Sequence, residues 1–265
     1  METNNLKLCL YPIQINWGDK ESNLSSLERI METMHPETDL LVLPETFDSG
    51  FPVKVGKDII MDSANPPDGD VIKKLRHLAE KHNVAIAGSL IVNDEGSLFN
   101  RGFFIEPSGD SYFADKAHLF RMGDEDKVFT PGSKRLNVRY RGLNISMVIC
   151  YDVRFPVWCR NKNNEYDLLI VVANWPKVRD NVWDALLTAR ALENLAYVCG
   201  VNCEGYDSAG NEYSGLSKVV DFKGKDITVS PPLGPLKYAF LQKEPLIKFR
   251  KKFPAWLDAD KFEFI

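Results

Sequence analysis

Apolar positions in this chain gather into short runs, separated by stretches where apolar residues recur every three or four positions. Residues 6–15, 39–43, 84–92, 102–105, 143–149, 168–172 and 196–202 are short and rich in β-branched side chains, which predicts buried strands. Within 143–149, Leu143, Ile145, Met147 and Ile149 give a near period of two. Helices are predicted between the runs. Residues 23–34 put Leu24, Leu27, Ile30, Met31 and Met34 on one face, and Pro36 follows as a stop. Residues 70–81 put Val71, Leu75, Leu78 and Ala79 on one face, with Asp70 available as a cap. Residues 181–195 carry Trp183, Leu186, Leu187, Arg190 and Asn194 near helical spacing. Arg190 lies close to that packed face with Glu193 one position off it, so both charges need partners.

Strand and helix in alternation predict an α/β layered fold. The alternation alone does not separate a single doubly wound sheet from two stacked ones. No linker, repeat or low-complexity tract divides the chain, so residues 1–265 read as one domain. From about residue 231 the run Pro231, Pro232, Gly234, Pro235 reads as an extended C-terminal arm. Phe253-Pro254-Ala255-Trp256 is too apolar for a free tail, so the arm is expected to pack on the body or on a second subunit.

Composition narrows the class. The chain has 265 residues, enough to bury roughly 70–75% of its unfolded surface without metal or disulfide support. Lys plus Arg is 33 and Asp plus Glu is 37, a net charge of −4, which lacks the basic excess of a nucleic-acid binder. Five cysteines without paired spacing argue against a disulfide framework and for a reducing compartment. The longest apolar run, residues 168–173, is too short to span a bilayer, and no basic-then-apolar leader is visible. The expectation is a cytoplasmic protein with no membrane partner. The sequons at Asn23 and Asn144 then read as chance matches. Glycine-rich phosphate loops of the dinucleotide or P-loop type are absent from the sequence. Cys199 and Cys203 lack the second pair that a zinc site needs, so they read as core cysteines. No metal and no organic cofactor is expected.

Three polar residues stand just past apolar runs. Glu45 follows residues 40–44, Lys116 follows 111–115, and Cys150 follows 145–149. Ligands of open α/β sheets gather outside the carboxyl ends of strands, so the three can converge on one pocket. Taken singly, each has an ordinary reading as a solvated glutamate, a surface lysine or a small core thiol. Together they make a machine for acyl transfer. A carboxylate takes the thiol proton, the thiolate attacks a carbonyl, and a fixed ammonium holds the oxyanion. Of the histidines His35, His77, His82 and His118, only His118 lies near this set, and spacing alone leaves a Cys–His pair open.

The segments Leu43-Pro44-Glu45-Thr46-Phe47, Asp115-Lys116-Ala117-His118-Leu119-Phe120 and Val148-Ile149-Cys150-Tyr151-Asp152-Val153-Arg154-Phe155-Pro156 resemble the three blocks of the nitrilase (carbon–nitrogen hydrolase) superfamily. That family uses a Glu–Lys–Cys triad, matched here by Glu45, Lys116 and Cys150. Phe47-Asp48-Ser49-Gly50-Phe51, His118-Leu119-Phe120-Arg121-Met122, Ala173-Asn174-Trp175-Pro176 and the stretch from Lys252 to Asp260 look like its bacterial omega-amidase branch. True nitrilases usually carry Trp-Glu after the cysteine, where this chain has Tyr151-Asp152.

The resemblance implies a four-layer α-β-β-α sandwich, a homodimer, and hydrolysis of the terminal amide of 2-oxo dicarboxylic acid monoamides such as 2-oxoglutaramate. It implies Glu125 as a supporting glutamate, although Asp126 follows where many relatives have His. Glu125 within Asp124-Glu125-Asp126 otherwise reads as a solvated acidic turn. Tyr151 is expected to supply a backbone N–H to the oxyanion. A substrate with a remote carboxylate needs cationic or donor groups, and Arg121, Arg154, Asn174 and Trp175 are the candidates. Arg154 has a competing role as a brace for Asp152. A different small amide or nitrile as substrate, or a non-catalytic binding module on the same fold, remain the alternatives.

Overall fold

The computed structural model describes residues 4–50 and 57–263. Phe51, one residue of the motif noted above, lies outside them. Among the described residues the strands form two main sheets and a hairpin. The first sheet contains β1 (Asn5–Leu10), β2 (Leu40–Val42), β3 (Ala85–Asp94), β4 (Ser97–Ile105), β5 (Ser111–Asp115) and β13 (Lys237–Gln242), in the order β13-β1-β2-β3-β4-β5. The second contains β6 (Leu136–Tyr140), β7 (Leu143–Ile149), β8 (Leu168–Ala173), β9 (Tyr197–Asn202) and β12 (Lys218–Val220), in the order β12-β9-β8-β7-β6. The hairpin joins β10 (Glu204–Tyr206) to β11 (Glu212–Ser214). The central strands of each sheet are parallel: β1 with β2 and β3, and β7 with β8 and β9. The outer pairings are antiparallel.

Packing follows from which face of each strand is apolar. Leu6, Leu8, Leu10, Leu40 and Val42 of the first sheet meet Ile145, Met147, Ile149, Ile170 and Val172 of the second in a dry layer between the sheets. The opposite face of the first sheet, with Cys9, Leu41 and Ile86, packs on α1 (Lys20–Met31) and α3 (Asp70–His82) through Leu27, Met31, Leu75 and Leu78. The opposite face of the second, with Val148, Leu169 and Val171, packs on α5 (Asp180–Asn194) through Trp183, Leu187 and Ala191. The result is a four-layer α-β-β-α sandwich, with two short helices, α2 (Lys57–Ser63) and α4 (Glu125–Val128), in the connections after β2 and β5. Strands with both faces covered lose the simple polar alternation, which is why they read as continuous apolar runs.

Several boundaries move, each for a local reason. The first strand ends at Leu10 rather than residue 15, because Pro12 has no N–H for a ladder. The first helix begins at Lys20, where Asp19 accepts from the Ser22 N–H at 3.0 Å. Gly69, not Asp70, occupies the cap position of α3, and Asp70 sits in its first turn, where a carboxylate suits the helix dipole. The two charges of α5 find their partners: Arg190 donates to Val153 O through Nε and Nη2, and to Glu193 through Nη1. The extended arm from about 231 is corrected from residue 237 onward. Lys237–Gln242 pairs antiparallel with β1, and Lys243–Lys252 is a helix, α6, seated by Leu246. The sequon residue Asn23 is fully buried, with Nδ2 donating to Asn16 O and Asp48 O. No helix among the described residues is long and apolar enough to cross a membrane.

Candidate active site

The loops after β2, β5, β7 and β8 meet at one end of the sandwich. The antiparallel steps from β3 to β4 and from β4 to β5 return β5 to the direction of β2, so both present carboxyl ends there. Glu45 is 2% exposed and Lys116 1%, so neither is the solvated side chain that its residue type suggests. Lys116 Nζ donates to Glu45 Oε1 at 2.8 Å and to Glu125 Oε1 at 2.6 Å. Glu125 Oε2 accepts from the Phe120 N–H at 2.6 Å, which ties the loop after β5 around the lysine. Glu125 is buried, while its neighbours Asp124 and Asp126 are exposed, so the acidic turn has one inward carboxylate.

Cys150 begins a 3-10 turn, Cys150–Arg154, straight off β7, with φ of 47°. A left-handed non-glycine residue there is a strained strand-to-helix elbow that pushes the side chain out of the ladder. Glu45 and Lys116 are the charged groups that act most strongly on the thiol. Burial pushes the thiol pKa well above its ordinary value, the Glu45 charge adds to this, and Lys116 opposes it. The resting group is therefore a neutral thiol. Burial alone would lower the Lys116 pKa, but Glu125 and Glu45 more than reverse it, so the ammonium persists. Burial raises the Glu125 pKa, with Lys116 opposing and Glu45 adding.

Three further residues fix Glu45 and its surroundings. Asn100, fully buried on β4, donates from Nδ2 to Glu45 Oε1 at 2.7 Å, and its carbonyl accepts from the Lys116 N–H at 2.9 Å. The Asn174 N–H donates to Glu45 Oε2 at 2.9 Å, and Asn174 Nδ2 donates to Thr46 Oγ1 at 3.0 Å. The carboxylate is thus pinned at both oxygens. Asp152 joins the loops: its Oδ1 accepts from the His118 N–H and contacts His118 Nδ1, both at 2.8 Å, and its Oδ2 accepts from the Ile149 N–H. His118 lies flat on Phe155, with ring centroids 3.8 Å apart, so its contacts are with this brace. Asn100 is not foreseen from the sequence, and Asp152 enters only as the residue that Arg154 is expected to brace. A polar residue inside an apolar strand was the one signal available, at Asn100.

The candidate carboxylate binders divide. Arg121 is 84% exposed and leans toward Asp126 Oδ2 at 3.6 Å, away from the buried group. Arg154 does not brace Asp152, whose carboxylate is taken up by His118 and Ile149. Its guanidinium lies 5.1 Å above the Trp175 ring. Trp175 is itself buried: its N–H donates to Asn202 Oδ1 and its Nε1–H to Arg179 O. Tyr151 stands edge-on to Phe120 and Phe155, with centroids 5.1 and 5.2 Å away. Among the described residues no cluster of three or more His, Cys, Asp or Glu side chains is placed to hold a metal ion.

A family model described as carbon–nitrogen hydrolase matches residues 8–239. The chain belongs to the carbon–nitrogen hydrolase family. It is 41% identical over 258 residues to omega-amidase YafV of Escherichia coli K12, covering 97% of this chain and 98% of that one. It is 33% identical over 215 residues to 2-oxoglutaramate amidase of Bacillus subtilis, covering 80% and 81%. Among solved structures, XC1258 of Xanthomonas campestris, a CN-hydrolase superfamily protein with an arsenic adduct in its active site, superposes with a TM-score of 0.92 at 35% identity. That match covers 98% of this chain and 99% of the other. The chain is therefore an amidohydrolase of this family acting on a small amide.

Proposed function

We propose that this chain is an omega-amidase, hydrolysing the terminal amide of 2-oxo dicarboxylic acid monoamides, 2-oxoglutaramate among them, to the 2-oxo acid and ammonia. The observation that carries the reading is the Glu45–Lys116–Cys150 group, its glutamate and lysine buried and its cysteine partly so, with Arg154, four residues past the nucleophile, stacked on Trp175 and without a carboxylate within ion-pairing distance among the described residues. The omega-amidase and 2-oxoglutaramate amidase relatives add independent support.

Glu45 takes the Sγ proton as sulfur bonds to the amide carbon. The carbonyl oxygen becomes an oxyanion, held by the Lys116 ammonium and by the Tyr151 N–H, which lies in a first helical turn and so has no carbonyl of its own helix to bond. The tetrahedral centre collapses, the C–N bond breaks, and Glu45 returns its proton to the leaving nitrogen, releasing ammonia. A thioester on Cys150 remains. Glu45 then takes a proton from water, hydroxide adds to the thioester, and the second collapse expels sulfur, which recovers a proton from Glu45. A thiol held neutral by burial suits concerted proton transfer better than a standing thiolate. The substrate's remote carboxylate meets Arg154, whose ring contact with Trp175 fixes the fork. The same reading carries a homodimer, which sedimentation would check.

The test is ammonia release from 2-oxoglutaramate beside glutamine, asparagine and a simple nitrile. Turnover of the 2-oxo amide, weak release from the others, and loss of at least about 1,000-fold in Cys150→Ala is the expected pattern. Normal turnover in Cys150→Ala would end the mechanism, and preference for another amide would end the substrate reading.

A further inference from the structure

A second arginine is tied to the same rings. Arg179 closes a short 3-10 turn, Lys177–Arg179, between β8 and α5, and is partly buried. Its guanidinium lies 5.6 Å above the Phe120 ring. Phe120 is edge-on to Tyr151, the neighbour of the nucleophile, and its N–H is bonded to Glu125, which holds Lys116. The Arg179 carbonyl accepts from Trp175 Nε1–H, and Trp175 carries Arg154 on its face. Arg154, through its guanidinium, and Arg179, through its backbone carbonyl, thus both contact one indole.

Most other arginines have a carboxylate partner. Arg76, Arg101, Arg135, Arg141, Arg190 and Arg250 each have a carboxylate within 4 Å. Among the described residues, neither Arg154 nor Arg179 has one, and Asp180, next to Arg179 in sequence, is not within pairing distance of either. A half-buried guanidinium with no carboxylate of its own chain is a site for an anion from outside. Resting on the omega-amidase reading, we propose that Arg179 is a specificity-determining residue, a second guanidinium that shares the 2-oxo acid end of the substrate with Arg154. That end presents a carboxylate and an adjacent carbonyl oxygen, more acceptors than one planar fork fills. Arg179 thereby favours amides with a charged far end over neutral ones.

The experiment measures alkylation of Cys150 by iodoacetamide, followed as the mass of the Cys150 peptide, at increasing 2-oxoglutarate, the diacid product of the proposed reaction. Wild type is compared with Arg179→Met, which keeps an unbranched stem over Phe120 without charge, and with Arg179→Lys, which keeps charge without the fork. Each protein's own unprotected rate is its reference, so altered folding or thiol reactivity divides out. The half-protecting concentration is expected to rise about 10- to 100-fold in Arg179→Met, with part of the loss recovered in Arg179→Lys. Protection by propionamide, a neutral amide, is expected to be equal in all three. Arg179→Met protected as well as wild type, or losing propionamide protection equally, overturns the assignment of Arg179 alone. Wild type unprotected by 2-oxoglutarate overturns both this assignment and the diacid reading beneath it.

Discussion

At Cys150 the backbone φ of 47° places a residue with a Cβ where glycine is at ease. Thr46, directly after Glu45, is also left-handed at 42°, and a β-branched residue there is rarer still. Its N–H is held by Ser89 Oγ at 2.9 Å, and its hydroxyl by Asn174. Strain therefore flanks both the nucleophile and its base, and neighbouring hydrogen bonds hold it in place. The consequence is measurable at Cys150 alone. Cys150→Ala and Cys150→Gly both remove the thiol, so both are inactive. Cys150→Gly is expected to be the more stable of the two by about 1 kcal/mol in urea unfolding, because the relieved φ outweighs the added freedom of the unfolded chain. Equal midpoints, or a more stable alanine variant, would mean that the elbow stores no strain.

Loops and strands set how much of this was readable. Glu45, Lys116 and Cys150 were visible because each interrupts polarity at the end of an apolar run, and because the resemblance spans several blocks. Asn100 was not, since Leu98, Asn100 and Gly102 share a strand face on which a polar residue reads as solvated; only pairing with β3 and β5 shows that this face is buried. Strand β13 escaped because its partner β1 lies more than two hundred residues earlier, and α6 because Pro245 and its basic run hide a short apolar face. The two-sheet stack was likewise a matter of long-range pairing. Gly132 is a loop residue with a role that only the fold reveals. Its N–H donates to Lys116 O at 2.8 Å, and a Cβ there would fall 2.1 Å from Asp115 O. Gly132→Ala must push the end of β5, and with it the ammonium. The expected result is a kcat lower by about 10- to 100-fold, from displacement of about 1 Å or less, with about 1–3 kcal/mol of lost stability. Steady-state kinetics with 2-oxoglutaramate decides, and a kcat within twofold of wild type would show that the loop yields without moving Lys116.

Across the whole molecule, thiols are spread through the layers: Cys9 outside the first sheet, Cys199 between the sheets, Cys159 under α5. Burial pushes the Cys9 thiol up to about 12, from 9.0, against a weaker lowering by the Tyr238 hydrogen bond. Burial also takes Cys159 to about 12, with the Arg190 charge opposing. A folded pKa above the unfolded one means that the native state keeps protons which the unfolded chain releases. Stability from these groups is then full below pH 9 and falls as pH rises toward 12. At pH 10, one unit above the unfolded value, each thiol costs about 1.4 kcal/mol. Lys116, whose pKa is raised by Glu125 and Glu45 against its burial, acts in the same direction only above about 10.5, and buried tyrosines such as Tyr166 act as pH nears 10, but both are the same in the two proteins compared and cancel. Urea unfolding of wild type is expected to lose stability from pH 8 to 10 more steeply than the double variant Cys9→Ala, Cys159→Ala, by close to 3 kcal/mol at pH 10. The comparison uses slopes, so the packing lost with the sulfur atoms, which is independent of pH, cancels. Parallel slopes in the two proteins would place the alkaline limit of this fold elsewhere than in Cys9 and Cys159.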